Sequence, residues 1–171
     1  MGLDPRFHGD DIYGWVYFNF KIYFMSDIKK PGVGFGVMIE KKGKILLGRR
    51  HSDPKKASSE LHGEGAWTMP GGKLHFGETP EEGACREVLE EIGVKINSRR
   101  LKLISVSNDM VSDAHFITLG FRYPSFKGSP KVMEPDEIVE WRWFNPKALP
   151  SPMYFPSERV FKHFKRGKIY G

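Results

Sequence analysis

Residues 71–94 read GGKLHFGETPEEGACREVLEEIGV, and the fold follows from this stretch. Thr79, Pro80 and Glu82 have the form of a helix N-cap, a proline at the first helical position and the carboxylate of a capping box. The pattern predicts a helix that starts after Thr79, runs through ACREVLEEI and stops at Gly93, a residue suited to the left-handed conformation just past a helix end. Such a helix has about three and a half turns. Ala84, Val88 and Ile92 recur every fourth position and form its expected buried stripe. Glu87, Glu90 and Glu91 fall at i, i+3 and i+4, so these three carboxylates share one face.

Like charges at that spacing repel and cost an isolated helix a few tenths of a kcal/mol per pair, roughly. A bound cation reverses the sign. Clustered carboxylate oxygens suit hard divalent ions, Mg2+ or Mn2+, which take their remaining ligands from water and substrate phosphates. The alternative is a solvated acidic face paired to lysines. The preceding Pro70-Gly71-Gly72 turn weighs against it, because glycines let a ligand approach the backbone closely and leave a carbonyl free to coordinate. The residues therefore point to a metal-and-phosphate site.

Read from Gly72, the order is Gly72, five residues, Glu78, seven residues, then Arg86-Glu87-Val88-x-Glu90-Glu91-x-Gly93-Val94. This matches the Nudix box at every fixed position, and the chain resembles the Nudix hydrolases. That resemblance implies hydrolysis of a nucleoside diphosphate linked to another group, with metals held by the box glutamates activating water at phosphorus. Carried onto this chain, Glu87 and Glu91 are the expected metal ligands, with Glu90 and the Gly72 carbonyl as further ones. Arg86 takes the place of the box arginine that orients a glutamate, either Glu78 or Glu90. The general base stays open between Glu90, Glu91 and Glu134.

The likeness extends over residues 31–161. PGVGFGVMI, KILLGRR, WTMPGGKLHFGET, HFIT, MEPDE, EWRWF and LPSPMYFP follow in the order of a subgroup of small MutT-like enzymes. Members of that subgroup cut nucleoside triphosphates to the monophosphate and pyrophosphate, and one also accepts geranyl diphosphate. By this matching Arg49 and Arg50 stand near the substrate phosphates, although both also read as the solvated end of a strand. Met69, Gly71, Thr118 and Phe155 match substrate-binding positions. Phe155 has a base-stacking reading, worth about 1–3 kcal/mol, and a plain core-packing one. His75 and His115 read as ordinary polar contacts.

Alternating or continuous apolar runs predict strands at 33–39, 44–49, 67–69, 101–108, 115–123 and 139–144. A second helix is expected from Ser157 to Lys165, after a short turn capped by Asn145-Pro146. Strands mixed with two helices imply a sheet covered on both faces. By resemblance this is the Nudix α/β/α sandwich, an α/β fold with a mixed central sheet.

With 171 residues and 39% hydrophobic content, the chain is long enough for one full core. Lys+Arg of 27 against Asp+Glu of 21 leaves a net charge of +6. The basic residues are scattered apart from Lys162, Lys165, Arg166 and Lys168, and no nucleic-acid motif accompanies them, so a small-molecule nucleotide is the expected partner. One cysteine, Cys85, cannot form an internal disulfide, which agrees with a cytoplasmic location. The resemblance adds a homodimer.

Two segments depart from the family pattern. Residues 1–24 precede the likeness and contain the aromatic stretch YGWVYFNFKIYF, too short for a typical membrane span. Met25-Ser26-Asp27 resembles an ordinary start, so residues 1–24 are expected to be an extension from a misassigned initiation codon, ahead of a Nudix domain at 25–171. An added edge strand, from the alternation of Val16, Phe18, Phe20, Ile22 and Phe24, and a membrane-surface anchor are the alternatives. The second departure, HSDPKKASSELHGEG at 51–65, reads as a loop. It is either a substrate lid or a surface insertion.

Three functions are compatible with these residues. The first is a nucleoside triphosphate diphosphatase, and the second a Nudix hydrolase of ADP-ribose, a nucleotide sugar or an isoprenyl diphosphate. A non-catalytic nucleotide-binding module is the third, and the full set of box glutamates argues against it.

Overall fold

A computed structural model describes residues 30–57 and 59–170. The expectations for residues 1–24 lie outside the described residues. The compact unit Pro31–Gly171 carries everything below.

Six strands are present among the described residues: β1 Gly32–Lys41, β2 Lys44–Arg50, β3 Trp67–Thr68, β4 Lys102–Met110, β5 His115–Tyr123 and β6 Ile138–Phe144. Two helices accompany them, α1 Pro80–Ile92 and α2 Phe155–Arg166, with a single 3-10 turn at Ser98–Arg100. The sheet order is β3-β2-β1-β5-β4, with β6 also pairing β2. β1 runs parallel to β5 from Gly32↔Phe116 to Ile39↔Tyr123 and antiparallel to β2 only at Glu40 and Lys41. Since β2 diverges from β1 beyond that corner, the edge of β1 away from β5 is free to bind the glycine turn.

Each strand of the β1–β2 corner is buried on both faces, which explains its continuous apolar sequence. Val37, Ile39 and Leu46 pack against Ala84, Val88 and Ile92 of α1. Met38, Ile45 and Leu47 pack on the opposite side with Val160 and Phe161 of α2. The helices therefore cover opposite faces, giving the expected α/β/α sandwich. Each fully buried aliphatic side chain stabilises by roughly 1.5–3 kcal/mol, so packing more than helix propensity holds these short helices in place.

α1 is capped as its sequence predicts. The Thr79 side chain accepts from the Glu82 amide, the Glu82 side chain accepts from the Thr79 amide, and Gly93 takes φ 70°. α2 differs from expectation, beginning at Phe155 rather than Ser157. Ser157 lies inside the first turn, where its hydroxyl accepts from the Met69 amide at 3.0 Å and meets Thr68 Oγ1 at 3.1 Å. Pro156 fits the first turn, where no amide donor is required. The 3-10 turn, capped by Asn97, was not legible as an element. Among the described residues no helix is long and apolar enough to cross a membrane.

Candidate active site

The site begins where the glycine turn joins the free edge of β1. The Phe35 amide donates to the Gly72 carbonyl at 2.9 Å, the Val37 amide to the Pro70 carbonyl at 2.7 Å, and the Leu74 amide to the Val33 carbonyl at 2.9 Å. Gly71 has φ 155°, and a Cβ there would lie 2.0 Å from the Phe35 carbonyl oxygen. A Cβ on Gly72 would lie 2.4 Å from Glu87 Oε1. Both glycines are thus required by close approach, the second to a carboxylate of α1. The Gly72 carbonyl, expected as a free ligand, already accepts one backbone bond and has a single lone pair left.

Arg86 organises the carboxylates. Its Nε donates to Glu78 Oε1 at 2.6 Å and its Nη2 to Glu78 Oε2 at 3.1 Å. Nη1 donates to Glu87 Oε1 at 2.7 Å and Glu90 Oε2 at 2.9 Å, while Nη2 also reaches the Lys73 carbonyl at 3.1 Å. The alternatives left open in sequence, Glu78 or Glu90, are both realised, and Glu87 is added. The Arg86 bonds, joined by one from the His75 amide, hold Glu78 at a pKa of about 2. These carboxylates in turn push the guanidinium further up.

Glu91 has a different environment. It is 7% exposed, and its Oε2 accepts from the Gly71 amide at 2.9 Å. Burial raises its pKa well above the ordinary value, the Gly71 amide opposes this, and Glu87, Glu134 and Glu137 add to it. Glu87 is also raised, chiefly by burial, against the pull of Arg86. Glu134 and Glu137 are raised by burial and by neighbouring carboxylates, and Arg50 partly offsets the effect at Glu137.

Glu87, Glu90, Glu91, Glu134 and Glu137 line one cavity of about 400 Å³, whereas Glu78 is not among its lining residues. That is within the usual range for a small-molecule site. Of the other expected substrate-binding residues, Arg50, Met69, Gly71 and Thr118 also line it, whereas Arg49 and Phe155 do not. Arg49 is exposed while Arg50 is 9% exposed, the two standing at an irregularity in the pairing of β2 with β6. Phe155 packs against Tyr154 and under Arg159 instead. Tyr154 takes the place expected for Phe155, with its ring 5.0 Å from the Arg50 guanidinium carbon. His75 is at the cavity mouth, 3.9 Å from Glu78, and His115 pairs with Asn108.

Sequence reasoning missed Tyr154, Phe116, Ser157 and Glu137 as lining residues. The adjacent aromatics of MYFP were a signal for the first, but helix phase decides which of the two faces inward. The loop 51–65, left open between a substrate lid and a surface insertion, is partly built into the cavity wall. Ala57 and Leu61 are buried, Ser59, Glu60 and Leu61 line the cavity, and the Arg50 guanidinium donates to the Ala57 carbonyl.

Among the described residues no three carboxylate, histidine or cysteine side chains stand in a geometry that would hold a metal as placed. Arg86 bridges Glu87 to Glu90, and the Gly71 amide holds Glu91. The donor set nevertheless fits a hard divalent ion. It consists of carboxylates that raise one another's pKa values, and a cation would relieve that repulsion. Arg50 and Lys73 add positive charge to the lining of the same cavity.

Residues 29–164 match the family model described as NUDIX domain. The chain is 32% identical over 154 residues to the ADP-ribose pyrophosphatase of Methanocaldococcus jannaschii, covering 86% of this chain and 85% of that protein. It is 39% identical over 97 residues to the 8-oxo-dGTP diphosphatase of Proteus vulgaris, covering 57% and 78%. Its fold superposes on the crystal structure of a MutT NUDIX hydrolase from Burkholderia pseudomallei with a TM-score of 0.69 and 31% identity, over 79% of this chain and 98% of that one. With the box carboxylates gathered around Arg86 and the glycine turn docked on β1, these matches establish that the chain belongs to the Nudix family as a MutT-like hydrolase of pyrophosphate bonds.

Proposed function

We propose that this enzyme hydrolyses a nucleoside triphosphate to the monophosphate and pyrophosphate by attack of water at phosphorus. The observation that carries the reading is the mixed lining of the cavity. Glu87, Glu90, Glu91, Glu134 and Glu137 share it with Met69, Phe116, Thr118 and Tyr154. Such an arrangement suits a metal-bound polyphosphate joined to a planar base. The relative named 8-oxo-dGTP diphosphatase supports the same substrate class.

Glu87 and Glu91 would hold Mg2+ or Mn2+, with Glu90 and the remaining Gly72 lone pair completing the protein ligands. The ion would supply charge neutralisation and activation of the attacking water. Arg86 orients Glu78, Glu87 and Glu90. Glu90, Glu91 or Glu134 accepts the proton from water, each being a carboxylate of the cavity wall. Buried Arg50 binds phosphate, and Tyr154 stacks on the base from the α2 side. The activity resides in residues 25–171, working as a cytoplasmic homodimer, which light scattering on purified protein checks.

A panel of unmodified and oxidised dNTPs, ADP-ribose, a nucleotide sugar and geranyl diphosphate, each with Mg2+ and with products separated by chromatography, tests the reading. Release of monophosphate and pyrophosphate from one dNTP at kcat/KM above about 10⁴ M⁻¹s⁻¹ is the expected result. Faster turnover of ADP-ribose than of every triphosphate would replace it with the second reading, which the likeness to the ADP-ribose pyrophosphatase supports.

A further inference from the structure

The loop 51–65 is built into the cavity wall by several contacts. Ser59 Oγ and the Tyr154 hydroxyl are 3.0 Å apart, Ala57 and Leu61 are 1% and 7% exposed, and the Ala57 carbonyl receives the Arg50 guanidinium. From this wall Glu60 pairs with Lys73, with Oε1 at 2.5 Å from Nζ. Both side chains are 56% exposed and both line the cavity. Lys73 directly follows Gly72, bridges to Gly34 of β1, and holds its ammonium 5.8 Å from the Phe116 ring centre.

An ion pair this exposed contributes only about 0–1 kcal/mol to stability, so it does little to secure a loop already anchored by buried groups. It does occupy a cation that stands beside the carboxylate cluster. We propose that Glu60 is a specificity-determining counter-ion, which holds Lys73 until a polyphosphate with an unesterified end phosphate displaces it. The reason is charge. A terminal phosphate carries more negative charge than a carboxylate, so it outcompetes Glu60 for Lys73, whereas a weakly charged ligand does not. This inference rests on the polyphosphate reading above and identifies the feature of the substrate that the loop senses.

Calorimetric titration of inorganic tripolyphosphate with Mg2+ into the full-length protein tests it. Glu60→Gln should tighten Kd about 2- to 5-fold at low salt, with the gain shrinking as salt rises. Glu60→Asp should restore wild-type affinity in part, and in a Lys73→Met background Glu60→Gln should have no effect. Unchanged or weaker binding by Glu60→Gln, or an equal gain with and without Lys73, would overturn the proposal. Because tripolyphosphate carries no nucleoside, this result stands whatever the hydrolysis panel finds. Circular dichroism of each variant confirms the fold.

Discussion

Arg86 holds Glu78 with two roughly parallel bonds, Nε to Oε1 at 2.6 Å and Nη2 to Oε2 at 3.1 Å. The same guanidinium reaches Glu87 and Glu90, so one planar fork sets the position of three carboxylates. A lysine carries the charge but cannot reproduce the fork. Arg86→Lys should therefore lower kcat about 10- to 100-fold, as loss of a residue that orients ligands typically does. Full activity in this variant would show that the geometry of the fork is dispensable.

Glu91→Gln separates catalysis from stability. Glutamine can still accept from the Gly71 amide while removing a buried carboxylate whose ionisation burial disfavours. With Glu91 as a metal ligand, kcat falls by orders of magnitude. In metal-free buffer at neutral pH, the Tm should rise. Turnover close to wild type would rule out the metal assignment.

The same carboxylates predict how metal-free stability depends on pH. Glu87, Glu91, Glu134 and Glu137 have folded pKa values raised above the ordinary glutamate value of 4.5. The folded state therefore binds more protons than the unfolded chain in the window above about 4.5. Their contribution to stability is fully present below that value and is lost as pH rises through the folded pKa values. Glu78, held at about 2, acts in the opposite sense, stabilising above 4.5 and losing its contribution as pH falls toward 2. Thermal melts in EDTA should show Tm falling between pH 5 and pH 8, and Mg2+ should reverse most of the fall at pH 8. A Tm in EDTA that climbs over this range would contradict the assignment.

Tyr154 and Phe155 are adjacent but face different surroundings. Tyr154→Ala should raise KM for the preferred nucleotide by about 5- to 100-fold, the equivalent of a lost stacking contact. Phe155→Ala should leave KM near wild type and lower Tm, since its ring packs under Arg159 outside the cavity. Steady-state kinetics on both variants decides between them, and the reverse pattern would return the base-stacking role to Phe155.

The box helix was legible because its signals are local. Thr79, Pro80 and Glu82 at one end and Gly93 at the other define a capped helix whatever surrounds it, and a period of 3.6 places Ala84, Val88 and Ile92 on its buried side. The start of the second helix was legible only approximately, because no side chain caps it. The Ser157 hydroxyl is engaged instead by Thr68 and Met69, groups brought alongside from far earlier in the chain.

The sequence by itself determined the family, the caps of the box helix and the shared face of Glu87, Glu90 and Glu91, since each depends on spacing within a single element. Tertiary structure decided which neighbour faces the cavity: Arg50 rather than Arg49, Tyr154 rather than Phe155. It also brought Glu60, Glu134 and Glu137 to the box carboxylates. Those outcomes depend on strand register, helix phase and loop anchoring, which are set by packing between segments distant in the chain.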